Sequence, residues 1–530
     1  MFRSRTLTNF AKLALSRPAP QRSPCLAAAV SYLSPPLARC ASSAAARILV
    51  ERAVEKAEAA TTAAATANAA KAAASLTATS SSNVNNHTSS SAPEPKQSNA
   101  SGELHLPDVS MDAREVSVGW DSKTWSKFHN VWLRDHCRCP ECFHQVTKQR
   151  LVDTFTIRPD LHPTNIESRP EGLRVTWPAS PAPHVSTYPW HWLRVNSYHP
   201  VFEKPKFPKV LWGSGIAKDP PTVPYEEIMQ DDIGVWRWLK RIHRFGFCFV
   251  SGVPATTEAT EALIRRIAFL RETHYGQFWE FTSDAGRGDT AYTTMALGAH
   301  TDGTYYTDPI GLQFLHMLSH TDGSGGASLL VDGFYVASLV KELYPSAFDV
   351  LRRTRIASHA AGEENVMYRT GTNGRGSGFP IIGTLEREDG SAGEVVQIRY
   401  NNDDRSALNL HPDQVEEWYA ALRQWYKTLT SADSEYWVQL APGTVMAFDN
   451  QRVLHGRSAF TGRRHMCGAY MGRDDWRSRL EVLSERYGKP IVPPGLDERL
   501  LLPSSSTIAG DATDQEHTAG YANRTWSGRI

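Results

Sequence analysis

The first 50 residues of this 530-residue chain contain no aspartate or glutamate, and the first acidic residue is Glu51. Seven arginine or lysine side chains occur in the same stretch, among alanine, serine and leucine. A basic, acid-free segment of this kind is typical of a mitochondrial transit peptide. The alternatives are a disordered basic terminus and a secretory signal, although no clean apolar region follows the early positive charges. We predict a transit peptide over residues 1–50 and a protein of the mitochondrial matrix.

Long apolar runs and a charge imbalance are also missing from the sequence. No run reaches the roughly 18 residues that a membrane-spanning helix needs, and the formal net charge is only +1. We therefore expect neither a membrane nor a nucleic-acid partner. Residues 51–104 are mostly alanine, serine, threonine and asparagine, and residues 500–530 are rich in serine, threonine, glycine and aspartate. These compositions predict a disordered linker and a disordered tail.

Cysteine is scarce, with seven residues in the whole chain. Three of them stand close together as Cys137, Cys139 and Cys142. This spacing suits a metal better than a disulfide framework, so it is consistent with a reducing compartment.

Short strand-like segments between residues 105 and 205 predict a small β-rich domain. The segments are EVSVGW, KFHNVWLRD, DTFTI and GLRVTWP. Proline is frequent over residues 200–224, which are predicted to be a linker.

A second domain is predicted over residues 220–495. Apolar residues at helical spacing predict helices over 226–246 and 257–276, and a third helix is predicted to begin at Pro412. Strands are predicted at GLQFLHML, SLLVDGFYV, EVVQIRYNN, TVMAFDN and CGAYMG. Many short strands with few helices predict a mainly β fold with flanking helices, in which a double-stranded β-helix (jelly roll) is the catalytic domain.

Two distant segments carry the residues of a candidate iron site. His300 and Asp302 lie in GAHTDGTYY, and His455 lies in FDNQRVLHGR. Two imidazoles and one carboxylate can hold one face of Fe(II) and leave the other positions open. Two other His-x-Asp pairs are explained by a glycine-rich turn (residues 320–322) and by a helix start (residues 411–413).

Arg464 follows His455 by nine residues, enough to cross a turn and return on the neighbouring strand. Its guanidinium could form a bidentate pair with a carboxylate of an organic-acid co-substrate. The pattern therefore points to a 2-oxoglutarate-dependent oxygenase. The nearby Arg452, Arg457 and Arg463 cannot be given separate roles from the sequence.

Several longer motifs over residues 110–480 resemble those of the trimethyllysine dioxygenase family. The motifs are VWLRDHCRCPEC, FTSDAGRGDTAYT, HTDGTYY, LLVDGFY, IRYNNDDR, FDNQRVLHGR and FTGRRHMCGAYMGRDD. With the related γ-butyrobetaine dioxygenases, this family belongs to the Fe(II)/2-oxoglutarate oxygenases of carnitine synthesis. The resemblance implies that His300, Asp302 and His455 bind iron and that Arg464 holds the distal carboxylate of 2-oxoglutarate. It also implies that Ser328 and Leu315 lie near that co-substrate and that the protein is a homodimer.

The resemblance further implies a structural zinc site in the N-terminal domain. Cys137, Cys139 and Cys142 match three of its ligands, and His184 matches the fourth. His136, His144 and His191 are the competing candidates for the fourth ligand. Three thiolates and one imidazole would form a closed tetrahedral site, which is the structural rather than the catalytic kind.

A trimethylammonium group cannot donate a hydrogen bond, so aromatic faces must recognise it by cation–π attraction. The positions that match the family's aromatic cage are Tyr275, Trp279, Tyr292 and Tyr470. Asp289 stands where the butyrobetaine enzymes have a neutral amide, and a carboxylate there would pair with the α-ammonium of trimethyllysine. Asn401 and Asn402 are both candidates for holding the substrate carboxylate.

The expected activity is Fe(II)- and 2-oxoglutarate-dependent hydroxylation of N6,N6,N6-trimethyllysine at C3, with ascorbate as an auxiliary reductant. This reaction releases succinate and CO2 and is the first step of carnitine biosynthesis. The alternatives are γ-butyrobetaine hydroxylation on the same fold and a non-catalytic protein that binds methylated ammonium groups. A cupin-like hydrolase is a further alternative, which would not need Arg464.

Overall fold

The computed structural model describes residues 104–202, 208–282, 293–362, 364–371, 376–387, 389–488 and 500. The chain divides into two compact units, residues 1–100 and 101–530. Every described residue belongs to the second unit. Apart from residues 104 and 500, the predicted transit peptide, linker and tail lie outside the described residues.

The N-terminal part of the second unit contains two three-stranded antiparallel sheets. Their strands are β1 Asp108–Met111, β2 Glu115–Gly119, β3 Trp125–His129, β4 Asn165–Arg169, β5 Gly172–Trp177 and β6 His184–Tyr188. Helices α1 (Asn130–Asp135) and α2 (Trp190–Val195) follow β3 and β6. Alternate residues such as Val116 and Val118 are buried in one core, because successive side chains of a strand point to opposite faces.

Two strand predictions in this domain need correction. The segment KFHNVWLRD is a strand only to His129, and its second half is helix α1. The segment DTFTI is a single 3-10 turn over Thr154–Thr156, in which the side chain of Asp153 accepts a hydrogen bond from the Phe155 N–H. Local capping therefore overrides the strand preference of the threonines and phenylalanine.

Three helices lie among the first strands of the second domain: α3 (Tyr225–Gln230), α4 (Asp232–Phe245) and α5 (Thr257–Arg265). The predicted helix over 226–246 is divided, because the side chain of Asp231 caps a new helix at the N–H groups of Ile233 and Gly234. Gly246 ends α4 with a φ of +81°, as predicted from its position. The predicted helix over 257–276 is shorter and ends at Arg265.

Two sheets of the jelly roll follow. The six-stranded sheet has the order β7-β8-β18-β11-β20-β9, and the four-stranded sheet has the order β10-β19-β12-β17. The bounds are β7 Thr222–Pro224, β8 Phe247–Ser251, β9 Phe278–Thr282, β10 Leu297–His300, β11 Leu312–Thr321, β12 Ser328–Asp332, β17 Tyr436–Val438, β18 Thr444–Asp449, β19 Val453–Arg457 and β20 Arg463–Met471. The end of the predicted 200–224 linker is therefore strand β7, which pairs with β8.

The predicted jelly roll with flanking helices is confirmed, with more helices than expected between residues 290 and 475. The segment SLLVDGFYV is strand β12 only to Asp332, where the Asp332 side chain caps helix α6 (Gly333–Leu343). Helices α7 (Pro345–Arg353), α8 (Pro412–Leu429) and α9 (Arg473–Tyr487) follow, with hairpins β13–β14 and β15–β16 before α8. The hairpin strands are His359–Ala360, Tyr368–Arg369, Ile382–Glu386 and Ala392–Ile398. No helix within the described ranges is long and apolar enough to cross a membrane.

Alternation along the strands of the larger sheet separates an outer core from an inner face. Phe314, Ala447 and Ala469 pack in the cluster that includes helix α4. Their neighbours along the same strands, such as Met446 and Met466, belong to a different cluster that includes Leu330 of the four-stranded sheet. The space between the two sheets is therefore partly apolar core and partly available for a site.

A buried ion pair stabilises the turn that connects strand β18 of the six-stranded sheet to strand β19 of the four-stranded sheet. Arg452, in the turn between β18 and β19, donates to both carboxylate oxygens of Asp332, at 3.1 Å from Nε and 2.8 Å from Nη2. The two side chains are only 1% and 0% exposed. The same guanidinium donates to the backbone carbonyls of Arg244 and Val210, so its donors are satisfied inside the protein.

Replacing Arg452 with methionine should lower the free energy of unfolding by about 3–5 kcal/mol, because Asp332 would remain buried without its cation. Urea unfolding followed by tryptophan fluorescence measures the change. Arg463→Met is the matched control, since Arg463 is exposed, and its effect should stay within about 0.5 kcal/mol. Equal losses in the two variants would contradict the role given to the ion pair.

Candidate active site

His300, Asp302 and His455 lie together although 155 residues separate the two histidines. Strands β10 and β19 are antiparallel neighbours, and His300 is paired directly with His455 in their register. Oδ1 of Asp302 lies 3.2 Å from Nε2 of His300 and 3.7 Å from Nε2 of His455. One ligand atom from each residue falls within 4.8 Å of the others, so the three could hold one metal ion.

The hydrogen bonds of this group leave its ligand atoms facing one another. Nδ1 of His300 donates to the carbonyl of Gly298 at 2.8 Å, so Nε2 is the atom turned toward Asp302. The ring of His455 packs against Phe448, and its Nδ1 is buried without a hydrogen-bond partner among the described residues. The site thus fixes one imidazole by a hydrogen bond and the other by packing.

The charges of the group suit a cation. Burial opposes ionisation of Asp302, but the hydrogen bond and charge of His300 and the hydrogen bond from Tyr470 hold the pKa of this carboxyl below its usual value. Burial, followed by the charge of His300, lowers the pKa of His455 to about 3, so this ring is neutral. Burial also disfavours a charged His300, yet the hydrogen bond and charge of Asp302 raise its pKa to about 9, so a metal would displace a proton there.

Asp302 is oriented by residues from the opposite side of the site. Its second carboxylate oxygen, Oδ2, accepts a hydrogen bond from the Tyr470 hydroxyl at 2.8 Å. Its backbone is clamped by the side chain of Asn450, which accepts from the Asp302 N–H at 2.8 Å and donates to the Asp302 carbonyl at 2.9 Å. The sequence pattern indicated only a cage role for Tyr470 and gave no sign of the role of Asn450.

The three residues open into a cavity of about 440 Å³ between the two sheets. Arg464 also lines this cavity, from strand β20 of the six-stranded sheet. The chain therefore returns after His455 on a strand of the opposite sheet, and the predicted return on a neighbouring strand is wrong. The strand alternation explains the result, since Arg464, Met466 and Tyr470 share the inner face of β20.

Arg464 has the environment of an anion-binding group. It is 5% exposed, and its Nε has no hydrogen-bond partner among the described residues. Burial, followed by the charge of Arg457, lowers its pKa to about 10. A buried guanidinium with an unsatisfied donor in a cavity is suited to a carboxylate ligand, which would satisfy both the charge and the donor.

Most of the other predicted pocket residues line the same cavity. They are Tyr275, Trp279, Leu315, Ser328, Asn401 and Tyr470. Gly468 makes room for one of them, since a Cβ atom there would lie 2.2 Å from the Trp279 ring. Asn402 is exposed and is not among the lining residues, so the structure favours Asn401 over Asn402. Asp289 and Tyr292 lie outside the described residues.

Several residues of the cavity were missed by the sequence analysis. Gln313 lines the floor beside Leu315 at the two-residue spacing of one strand face, a signal that was available in the sequence. Tyr305 lines the cavity, and its hydroxyl lies 3.4 Å from that of Tyr275. Asp404 also lines it, but no local pattern distinguishes this loop residue from its neighbours.

The structure separates the neighbouring arginines into different environments. Arg452 belongs to the buried ion pair with Asp332. Arg457 donates to the backbone carbonyls of Met295 and Thr293, which precede His300 in the chain. Arg457 and Arg464 both line the cavity, and Arg464 is the one whose Nε has no hydrogen-bond partner among the described residues.

A second candidate metal group lies in the N-terminal domain. Nε2 of His184 lies 3.3, 3.7 and 3.6 Å from the sulfurs of Cys137, Cys139 and Cys142. The four ligand atoms fall within 4.8 Å of one another. Burial raises the pKa of Cys137 to about 12, so a thiolate at this position needs a nearby cation. The donor set and its closed arrangement fit a tetrahedral Zn²⁺ site.

The competing histidines have other surroundings. Nδ1 of His136 lies 2.8 Å from the carbonyl of Trp132 and its ring stacks on the same residue. His144 is exposed, and its Nδ1 accepts from the Thr147 N–H in a local turn. His184 is the histidine that the structure groups with the three cysteines.

Comparison with known proteins identifies the chain's relatives. Trimethyllysine dioxygenase of Neurospora crassa is 41% identical over 384 residues, which cover 66% of this chain and 79% of that protein. The mitochondrial trimethyllysine dioxygenase of Homo sapiens is 40% identical over 365 residues, which cover 68% of this chain and 84% of that protein. The chain belongs to the trimethyllysine dioxygenase family.

Two family descriptions match consecutive parts of the chain. Residues 209–470 match the taurine catabolism dioxygenase TauD, TfdA family, and residues 108–194 match the γ-butyrobetaine hydroxylase-like N-terminal family. γ-Butyrobetaine dioxygenase of Pseudomonas sp. is 32% identical over 379 residues, covering 70% of this chain and 94% of that protein. The chain is thus an iron- and 2-oxoglutarate-dependent dioxygenase by family, and both candidate metal groups fall within the matched regions.

Replacing Tyr470 with phenylalanine should weaken metal binding by roughly 10- to 100-fold, because Asp302 would lose the hydroxyl that orients its carboxylate. Titration of the protein with Fe²⁺ under anaerobic conditions measures the affinity. Trp279→Phe is the control, since its ring lines the cavity without a described contact to Asp302. Unchanged metal affinity in Tyr470→Phe would leave this residue with a cage role alone.

Replacing His184 with alanine should abolish the metal content of the N-terminal domain, because three buried thiols would lack their fourth ligand. Elemental analysis of the purified protein reports bound zinc directly, and thermal unfolding reports the accompanying loss of stability. His144→Ala is the control, which should keep the metal. Retained zinc in His184→Ala would show that another group completes the site.

Proposed function

We propose that this protein hydroxylates N6,N6,N6-trimethyllysine at C3, consuming O2 and 2-oxoglutarate and releasing succinate and CO2. This would be the first step of carnitine biosynthesis. The observation that carries the proposal is the buried Arg464, with its unsatisfied Nε, in one cavity with His300, Asp302 and His455. The choice of trimethyllysine as the substrate is supported by relatives at 38–41% identity that are named trimethyllysine dioxygenase.

His300, Asp302 and His455 would hold Fe(II) on one face and leave the remaining positions open to the cavity. The bound iron would supply the activation of dioxygen and the oxidation of the co-substrate. Arg464 would bind the distal carboxylate of 2-oxoglutarate, with Ser328 and Leu315 beside it on the cavity wall. Tyr470 would keep the Asp302 carboxylate in place throughout turnover.

The aromatic wall would bind the trimethylammonium group. Tyr275, Trp279 and Tyr470 line the cavity, and the rings of Trp279 and Tyr470 are 5.6 Å apart. Ring faces attract a cation that cannot donate hydrogen bonds, and they exclude the water that would solvate it. Tyr292 would complete this cage by the family resemblance, and Asn401 would donate to the substrate carboxylate.

Asp289 would distinguish trimethyllysine from γ-butyrobetaine. Trimethyllysine carries an α-ammonium that pairs with a carboxylate, whereas γ-butyrobetaine has only a carboxylate at this end of the molecule. γ-Butyrobetaine hydroxylation is the second candidate function, because a relative with that name shares 32% of its residues with this chain.

The remaining assignments are supported by composition and by the relatives. Cys137, Cys139, Cys142 and His184 would hold a structural Zn²⁺, and ascorbate would keep the iron reduced. The rat, bovine and human relatives are named mitochondrial, and the first 50 residues are basic and acid-free. We therefore propose a mitochondrial matrix location and, from the family resemblance, a homodimer.

Succinate release by the full chain with Fe(II), ascorbate and 2-oxoglutarate tests the proposal. We expect turnover with trimethyllysine and little with γ-butyrobetaine. Arg464→Met should raise the KM for 2-oxoglutarate at least about tenfold, because a buried carboxylate would lose its charged partner. Asp289→Asn should shift the preference toward γ-butyrobetaine.

Three other outcomes would contradict part or all of the proposed function. Turnover with γ-butyrobetaine alone would be consistent with the fold and with the oxygenase chemistry. It would contradict the role given to Asp289 in selecting trimethyllysine. Binding of trimethyllysine without succinate release would indicate a non-catalytic binding protein. Turnover that does not depend on 2-oxoglutarate would exclude the oxygenase reaction.

A further inference from the structure

The chemistry of the substrate restricts where its α-ammonium can be bound, and this inference rests on the proposed function. In trimethyllysine, C3 is two bonds from the α-nitrogen, a distance of about 2.5 Å. C3 must approach the reacting centre to about 3–3.5 Å, whereas four bonds separate it from the trimethylammonium nitrogen. The partner of the α-ammonium must therefore lie close to His300, Asp302 and His455.

Asp404 is a carboxylate in that position. It lines the same cavity as the three ligands and is half-buried. Its Oδ2 lies 3.4 Å from the hydroxyl of Thr304, which is two residues beyond Asp302. Asp404 is also close enough to His300 and Tyr305 to act on both electrostatically.

The backbone around Asp404 is held in a defined turn. The side-chain carbonyl of Asn401 accepts hydrogen bonds from the N–H groups of Asp403 and Asp404, at 3.0 and 3.5 Å. The Asp404 carbonyl accepts from the His359 N–H at 2.8 Å, which ties the turn to hairpin β13–β14. Because the turn occupies the Asn401 oxygen, the Asn401 amide N–H2 is the end that can donate to a ligand.

We propose that the turn of residues 401–404 recognises the α-amino-acid end of the substrate, with the Asp404 carboxylate binding the α-ammonium. The Asn401 amide donates to the α-carboxylate from the same turn, so one loop matches both charges of the head group. An ammonium has three N–H donors, so Asp404 can bind it alongside other acceptors. Asp404 thereby becomes a specificity-determining residue for substrates that carry an α-amine.

The test compares trimethyllysine with 6-(trimethylammonio)hexanoate, the same molecule without its α-amine. Calorimetric titration of the full chain, with Mn²⁺ in place of Fe²⁺ and with 2-oxoglutarate, measures each Kd without turnover. Asp404→Asn should weaken trimethyllysine binding by about 10- to 100-fold, the size expected for a hydrogen bond between charged groups. Binding of the deaminated analogue should stay the same or become tighter.

Asp403→Asn is the matched control, because Asp403 is a carboxylate of the same turn that also lines the cavity but is exposed to solvent, whereas Asp404 is half-buried beside Thr304. It should leave the ratio of the two Kd values nearly unchanged. Thr304→Val is a second variant, which removes the hydroxyl beside the Asp404 carboxylate and should weaken trimethyllysine binding relative to the deaminated analogue by a smaller factor. It keeps the proposal testable if Asp404→Asn fails to retain its metal.

An equal weakening of both ligands by Asp404→Asn would overturn the proposal, since a merely structural role does not depend on the α-amine. A selective loss in Asp403→Asn instead would also overturn it. Absence of succinate release with trimethyllysine in the unaltered protein would contradict the proposed function itself. Turnover of trimethyllysine with no selective loss in Asp404→Asn would contradict only the role of Asp404.

Discussion

The turn between strands β18 and β19 is the constraint on which the site depends. Three consecutive buried residues, Asn450, Gln451 and Arg452, stand where the chain passes from the six-stranded to the four-stranded sheet. Asn450 clamps the backbone of Asp302, and Arg452 is paired with Asp332 at the end of β12. Gln451 donates to the carbonyl of Pro309 and accepts from Arg473 at 2.7 Å. Charged and polar groups this deeply buried are stable only when paired, so the turn has one arrangement. Strand β19, which carries His455, starts directly after this turn.

The two sheets contribute different kinds of side chain to the cavity. The four-stranded sheet supplies His300, His455 and Ser328, whereas the six-stranded sheet supplies Trp279, Arg464 and Tyr470. A cation site and an anion site therefore face the same space but are held on separate sheets. The Tyr470–Asp302 hydrogen bond crosses between them, so the aromatic wall and the metal group are mechanically linked.

Many elements of the fold were predictable because local pattern and tertiary packing agree in them. The strand predicted at TVMAFDN and the helix predicted to begin at Pro412 are both present in the structure. Three predictions failed where a single capping side chain changed the local conformation. Asp153, Asp231 and Asp332 each receive backbone hydrogen bonds, and each begins a new turn or helix inside a segment predicted as continuous.

The sequence by itself determined which residue types are available: two histidines, one aspartate and a following arginine, three clustered cysteines, and aromatics near a family motif. It left three other histidines in competition with His184, did not choose between Asn401 and Asn402, and gave no separate roles to Arg452, Arg457 and Arg463. Those choices depend on which side chains the folded chain buries together, as when cross-strand pairing brings His300 opposite His455. Asp404 and Asn450 could be assigned only from the tertiary structure, because their partners are distant in sequence and no periodic pattern marks a residue in a loop or turn.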